Sequence, residues 1–594
     1  MSAAIRPSRR FRLVLIKPSH YDDDGYVIQW LRSAIPSNTL AALHGLALDV
    51  RDRRALGADI ALEITAFDET NTRIRPDRIA RMIKAEDGLG LVALVGVQSN
   101  QFPRAVDIAR PLRKAGIPVA VGGFHVSGLL AMLPGIQPDL QEALDLGITL
   151  FAGEAEGRLE TVLADALAGR LKPIYNFMDD LPGIEGAPPP ILPSAIIQRT
   201  AGNMTSFDAG RGCPFQCSFC TIINVQGRKS RTRSPDDVEA IIRGNLAQGI
   251  DHFFVTDDNL ARNRNWEPIF DRLIRMREEE GLFFRFAIQV DTLCHKIPNF
   301  IEKAARAGVT RVFIGMESIN PENLLAAKKR QNRISEYRRM LLAWKKVGCF
   351  TYAGYILGFP GDTPETIQRD IRIIQRELPL DLLEFFCLTP LPGSEDHKRL
   401  FTTGVPMDPD MNKYDVEHVC TTHPIMSKAE WERAYQLAWE TYYTPEHMER
   451  VMRRASACGI SPGKMMFLLL WFWGCVTLEK IHPLQGGYLR RKVRTDRRPG
   501  LPIETPLLFY PRYIANLIHK HLRIGGMIWR MGAVRRAIKR DPNRRAYMDT
   551  ALTPVTDEEM DALEMFTATD AARHAAEKAK RDLARARATA SQPA

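Results

Sequence analysis

Two runs of apolar strand candidates alternating with amphipathic helices, parted by a proline- and glycine-rich segment, restrict this chain more than any other feature. In the first run, strand candidates fall at residues 13–16, 63–67, 91–97, 118–121 and 148–151, with helical stretches such as 104–115 between them. That order predicts βαβ units on a parallel sheet, with ligands at the carboxyl ends of the strands. In the second run, candidates at 251–256, 284–290, 309–314, 351–357 and 382–388 alternate with helices at 236–247, 266–279 and 335–347. Such repetition predicts a complete or partial (β/α) barrel whose active site lies at the C-terminal strand ends. Between the runs, Leu181-Pro182-Gly183 and the stretch GAPPPILPSA from Gly186 favour extended chain.

The expected fold is therefore α/β. A doubly wound domain covers 1–180, a linker 181–204, a partial (β/α)6 barrel 205–400, a mainly helical basic region 401–565, and an exposed or disordered tail 566–594. A chain of 594 residues exceeds the reach of one hydrophobic core, which fits this division. Net charge is +11, but residues 490–545 hold 16 Lys/Arg against Asp496, Glu504 and Asp541, so the excess is local. A basic segment of this kind suits an anionic partner, a phospholipid surface or nucleic acid, or else a solvated edge. Nine scattered cysteines exclude a secreted disulfide framework and place the chain in a reducing cytoplasm; no secretion signal is read at the N-terminus. The apolar stretch 465–478 is too short to span a bilayer as a helix, so it is expected to be a buried core helix or an interfacial one.

Chemistry is concentrated in the row Gly-Arg-Gly-Cys213-Pro-Phe-Gln-Cys217-Ser-Phe-Cys220. Three thiolates so spaced in one loop can converge on an iron–sulfur core, and three ligands for four irons leave one iron open. The competing reading is a zinc site with a distant fourth ligand, although the spacing differs from the usual C-x2-C pair. The other six cysteines lack motif spacing.

With Phe219 at the aromatic position, the row resembles the C-x3-C-x-aromatic-C signature of the radical S-adenosylmethionine (SAM) superfamily. The resemblance implies that Cys213, Cys217 and Cys220 hold a [4Fe-4S] cluster, whose open iron chelates SAM. It also implies reductive cleavage to methionine and a 5'-deoxyadenosyl radical, driven by a low-potential donor such as flavodoxin or ferredoxin. Further motifs recur at strand ends: Thr256-Asp257-Asp258-Asn259 near the SAM amine, Gly315-Met316-Glu317-Ser318 at the ribose, and the turn through Gly358 facing adenine. Leu388 to Ser394 resembles the family's closing loop. Each could instead be a helix cap or plain turn chemistry.

A doubly wound domain ahead of such a barrel resembles the cobalamin (B12)-binding, Rossmann-like branch of the superfamily. That resemblance implies that Ser99, Gly122, Gly123 and Glu154 line the pocket for the nucleotide tail of cobalamin. The family's D-x-H-x-x-G loop is missing, since the segment after the first strand reads Lys17-Pro18-Ser19-His20-Tyr21-Asp22; a domain that only supports the barrel is the alternative. No role is assigned to His20, His44 or His125.

The expected activity is cobalamin-dependent C-methylation of an unactivated carbon, consuming two SAM molecules per cycle. The alternatives are radical cyclisation, oxidation or rearrangement of a hydrophobic substrate, as in anaerobic tetrapyrrole cyclases, and a non-catalytic iron–sulfur sensor or nucleic-acid-binding protein. The basic C-terminal region, with Trp471, Phe472, Trp473, Phe509, Tyr510 and Tyr513, suggests a hydrophobic or lipid-like small substrate and peripheral contact with the inner face of the membrane. Nucleic acid is not the expected partner.

Overall fold

The computed structural model describes residues 9–85, 88–556 and 559–590. Its N-terminal third contributes β1 (Arg9–Lys17), β2 (Gln29–Ser33), β3 (Ile60–Asp68), β4 (Leu89–Leu94), β5 (Val119–Gly122), β6 (Thr149–Ala152) and β7 (Ile174–Asn176). All but β2 form one sheet of order β3-β1-β4-β5-β6-β7, every pair parallel. Leu13, Val14, Leu15 and Ile16 on β1 are all fully buried, the signature of a strand covered on both faces. Val14 and Ile16 enter one hydrophobic core, Leu13 and Leu15 the other. Chain order reverses between β1 and β4, so a crevice opens at that switch point beyond the strand ends.

The second unit holds β8 (Met204–Phe207), β9 (Gly210–Arg211), β10 (Arg231–Thr232), β11 (His252–Val255), β12 (Arg285–Val290), β13 (Val309–Glu317), β14 (Phe350–Leu357) and β15 (Leu382–Cys387). Six of these make the sheet β15-β14-β13-β12-β11-β8, parallel throughout, which does not close between β8 and β15. It is the partial barrel expected from the alternation. C-terminal helices pack against it: Trp439 meets Phe385 of β15 edge-on at 5.1 Å, and Phe472 meets Tyr352 of β14 at 6.1 Å. The apolar stretch 465–478 falls largely within helix Pro462–Gly474, where Leu469 is fully buried and Phe472 and Trp473 nearly so. Those two aromatics belong to the core, not to an interface with lipid, and so does the buried Phe509.

Two features depart from the expected layout. Strand β16 (Gly487–Arg491) returns to the N-terminal domain and pairs antiparallel with β2. A side chain at Gly487 would overlap the Trp30 ring, and the Trp30 indole donates to the Gln485 carbonyl at 2.9 Å. The tail expected to be exposed or disordered is, as far as residue 590, the helix Asp570–Ala590 packed on helices Pro321–Ala326 and Ile334–Lys346. Ala572 and Ala576, one turn apart, are buried there; their small side chains make a seam that an Ala/Lys/Arg/Glu composition conceals. Residues 591–594 lie outside the described residues.

Candidate active site

The cysteine loop is closed at its base by the two-residue ribbon of β9 and β10, which sets Arg211 directly opposite Arg231. Gly212 follows with φ +89°, where a Cβ would lie 2.6 Å from the Lys229 carbonyl, so the turn into Cys213 requires glycine. Further along, the Ser218 amide donates to Ala327 O at 3.1 Å and the Asp396 amide to Ser218 O at 3.1 Å, fixing the loop to the segments that follow β13 and β15. All three thiols are free, and Gln331 Nε2 lies 3.5 Å from Cys217 Sγ. Burial pushes the Cys213 thiol up to about 11 and that of Cys220 up to about 12, with Asp258 and Cys217 adding to each. Thiolates here therefore need a compensating cation.

Lys329 is part of that compensation: buried, it pairs with Glu317 at the end of β13 and feels the field of Cys217 and Cys220. Its ammonium also sits 5.7 Å from the Phe219 ring centroid. Glu317 holds a left-handed backbone, φ +63°, unusual for a non-glycine residue. Ser318 is fully buried, its hydroxyl accepting from the Asn320 amide at 3.1 Å and Asn323 Nδ2 at 3.3 Å.

The two aspartates after β11 differ in role. Asp257 accepts from the Ala209 and Gly210 amides at 2.7 and 2.8 Å and from Asn263 at 2.9 Å, so it braces the chain leading into the cysteine loop. Burial, opposed by those bonds, puts its carboxyl at about 7. Asp258, raised to about 7 by burial and then by Asp257, lines the crevice between the domains. Gly358 has φ +101° and faces Trp431, whose indole ring a Cβ would overlap. This glycine is required by packing, whatever approaches the turn.

On the N-terminal side, an apolar cavity of about 1120 Å³, counting its mouth, lies among β1, β4, β5, β6 and the flanking helices. Gly122, Gly123 and Glu154 line it, with Leu13, Leu15 and Phe151. At Gly123 (φ +150°) a Cβ would overlap the Val97 amide nitrogen, so the backbones touch there. Ser99 lies to one side, bonded to His125 Nδ1 at 3.1 Å, while His125 Nε2 meets Asp139 at 2.6 Å. Glu154 accepts from Arg211 at 2.7 Å and from Arg231 at 2.7 and 2.5 Å. Arg211 also reaches Glu156 at 2.7 Å and Asp208 at 3.1 Å. Two opposed arginines would repel across a ribbon; carboxylates from the other domain neutralise them and join the units. The second cavity, about 1810 Å³ with its open mouth, separates the domains, and both cavities share Asn38, Thr39, Gly96, Phe124, Arg211 and Gln226. One crevice thus runs from the first sheet to the barrel mouth.

Residues 209–374, which contain the cysteine loop and four barrel strands, match the Radical SAM superfamily. This segment is a radical SAM domain. Relatives of this radical SAM chain include bacteriochlorophyllide d C-8(2)-methyltransferase of Chlorobaculum tepidum, 27% identical over 350 residues, 55% of this chain and 72% of the relative. Hopanoid C-2 methylase of Rhodopseudomonas palustris is 25% identical over 383 residues, 63% of this chain and 70% of that one. Among solved structures, the radical SAM methyltransferase TsrM from Kitasatospora setae gives a TM-score of 0.56 at 17% identity, over 74% of this chain and 90% of TsrM. The cobalamin-dependent radical SAM enzyme OxsB gives 0.51 at 13% identity, over 91% of this chain and 82% of OxsB. The fold of the chain, domain plus barrel, is that of cobalamin-dependent radical SAM enzymes.

The radical SAM family implies a [4Fe-4S] cluster, and the donor set fits one: three free thiols on a pinned loop with a buried lysine beside them. The glycine-walled apolar cavity likewise suits a large, mostly apolar cofactor tail. Sequence reasoning missed Lys329, which lies far along the chain from Cys220 and forms no recognisable pattern with it, and Arg211, hidden between two glycines of the motif itself. It also missed the crevice wall of Asp415 and His482, supplied by the C-terminal region.

Proposed function

We propose that the protein methylates an unactivated carbon of a small hydrophobic substrate held in the crevice between the domains. The observation that carries this reading is the continuity of that crevice with the apolar N-terminal cavity, which would bring a cofactor seated on the first sheet and SAM held at the barrel mouth to one substrate. Cys213, Cys217 and Cys220 would hold the cluster, and Phe219, Asp258, Glu317, Ser318 and the turn at Gly358 would surround SAM, with Asp257 bracing the loop. Gly122 and Gly123 would admit the cobalamin tail, with Glu154 as a polar neighbour in the cavity wall and Ser99 set back behind it on His125. When bound, these groups supply a 5'-deoxyadenosyl radical and a transferable methyl group. The chain's own part is to position substrate and exclude water from the crevice.

The relatives support methyl transfer: among them are methyltransferases of bacteriochlorophyllides and hopanoid methylases. Anaerobic magnesium-protoporphyrin IX monomethyl ester cyclase of Cereibacter sphaeroides also matches, over 31% of this chain at 25% identity, and keeps cyclisation as the second reading. In this reading the electron comes from a cytoplasmic flavodoxin or ferredoxin, and the basic C-terminal region brings the enzyme to the inner face of the membrane. The test is anaerobic turnover of the reconstituted protein with SAM, cobalamin and dithionite against apolar candidate substrates. Methylation predicts 5'-deoxyadenosine and S-adenosylhomocysteine in equal amounts with substrate; 5'-deoxyadenosine alone, with an unmethylated product, would favour cyclisation.

A further inference from the structure

Helix Pro506–Arg540, 35 residues long, has two apolar faces. At 100° per residue, Phe509, Tyr513, Lys520, Ile524, Met527, Met531, Val534 and Ile538 fall on one side. That side is the docked one: Phe509, Met531 and Ile538 are buried, Ile524, Met527 and Val534 pack on the core, the Tyr513 hydroxyl donates to Arg490 O at 3.1 Å, and Lys520 pairs with Glu479 at 2.6 Å. Leu507, Ile514, Ile518, Leu522 and Trp529 follow one another at intervals of seven, four, four and seven, and so line the opposite side. They are 86%, 52%, 55%, 72% and 76% exposed. A monomeric soluble surface scatters such residues singly; an aligned stripe of five marks an interface.

The charges around the stripe indicate what covers it. Arg512, Arg523 and Arg530 lie together between the stripe and the docked face, about 120° round from the stripe, with Arg523 also 5.8 Å from the Trp473 ring centroid, and Arg536, Lys539 and Arg540 continue the line of the stripe past Trp529. Arg512 and Arg530 pair at the surface with Glu504 and Glu446, weak bonds that a phosphate can replace. Acidic residues are absent from the whole helix. A protein partner or a second copy of this chain would bring its own carboxylates to only some of these positions, and in a self-paired helix the arginines would face one another. A bilayer with anionic headgroups satisfies both properties along the full length, about 50 Å. Among the described residues no helix is long and apolar enough to cross a membrane, so the helix would lie in the plane of the surface.

We propose that this outer face is a peripheral docking surface for an anionic phospholipid bilayer, with Leu507, Ile514, Ile518, Leu522 and Trp529 inserted among the acyl chains and Arg512, Arg523 and Arg530 on the headgroups. The proposal deepens the membrane placement given above by naming the face and the lipid charge, and it is independent of the radical chemistry. It does not involve the apolar stretch 465–478, most of which is core, with Phe467 the exposed residue.

The experiment is co-sedimentation of the full-length, cluster-reconstituted protein with vesicles of phosphatidylcholine alone and of phosphatidylcholine with phosphatidylglycerol, at low and at physiological salt. Two variants are compared with the parent: Ile518→Glu/Leu522→Glu, which breaks the stripe, and Arg512→Gln/Arg523→Gln/Arg530→Gln, which keeps it. Circular dichroism and iron content confirm that each is folded; all five residues are exposed, and Arg523 alone among them also stacks on a core ring, that of Trp473. The expected result is binding to the anionic vesicles, weakened more than tenfold by the stripe variant. Removing three arginines from the headgroup layer should weaken binding about a hundredfold. No binding to anionic vesicles, or binding unchanged in the stripe variant, overturns the proposal. So does a concentration-dependent dimer that the stripe variant dissociates while vesicles are ignored, which would make a second copy the occupant. Loss of vesicle binding with normal 5'-deoxyadenosine formation would leave the catalytic reading intact, and the converse would spare this one.

Discussion

Replacing Arg211 with methionine removes the cation on which the two domains converge while keeping most of its volume. Its guanidinium is 10% exposed and meets three carboxylates, Glu154, Glu156 and Asp208, whose side chains are 9%, 8% and 3% exposed. Glu154 keeps Arg231, and Asp208 keeps Arg233 at 3.7 Å and Asn38 at 3.1 Å. Glu156 keeps no cation, because among the described residues Arg211 is its ion-pair partner. One uncompensated buried charge costs about 3–5 kcal/mol, or roughly two to three and a half orders of magnitude in the equilibrium for separating the domains. Native-state hydrogen exchange at the amides of β9, β10 and the segment after β6 should therefore accelerate by roughly that factor, while exchange at β1 and β13 stays put. Adding Glu156→Gln to the Arg211→Met protein should recover much of the loss, because the orphaned charge is gone. A change under about 1 kcal/mol in the single variant, or no recovery in the double, would refute the argument that these charges join the domains.

Four further perturbations have defined outcomes. Burial raises the Glu384 carboxyl to about 8, with no cation among the described residues to oppose it, so the folded state keeps a proton that the unfolded chain releases above its ordinary value near 4.5. Stability then falls as pH rises from about 4.5 to 8, and Glu384→Gln should flatten that slope in urea unfolding, gaining roughly 3 kcal/mol at pH 7 relative to pH 4. Gly358→Ala places a Cβ against Trp431 at φ +101° and should cost more than about 2 kcal/mol in the same assay. Lys329→Met leaves Glu317 without its lysine and should lower iron retained per chain after reconstitution, with circular dichroism unchanged. Cys217→Ala should abolish both the cluster absorbance and 5'-deoxyadenosine formation; retention of either would remove Cys217 from the ligand set.

Much of the architecture was legible because it rests on local periodicity. Leu13 to Ile16, the run at 91–97 and five of the six barrel strands could be read from apolar runs alone, and the linker from its prolines; β8 was not among the candidates. What could not be read depends on packing between distant segments. Nothing around Trp30 announces that Gly487 will lie against its ring, and the Ala572–Ala576 seam looks like a solvated tail until a helix is set beside it. In the site, the three cysteines and the residues at strand ends are found from motif spacing, but their division of labour is not. Asp257 and Asp258 are neighbours in sequence, yet one is bound to backbone amides and the other faces the crevice. Glu154, expected near a cofactor tail, spends its oxygens on Arg211 and Arg231. The apolar run at 465–478 and the stripe on helix Pro506–Arg540 have similar composition; only packing tells that the first is core and the second is exposed.

Cobalamin retained per chain after anaerobic reconstitution and desalting tests the central claim most directly, with an Ala93→Phe protein and a Cys213/Cys217/Cys220 triple-alanine protein alongside. Near-stoichiometric retention in the parent and in the cluster-free protein, lost when the phenylalanine ring occupies the cavity that Ala93 lines, is the predicted result. Absence of retention in the parent would contradict it, leaving the first domain a support for cobalamin-independent radical chemistry.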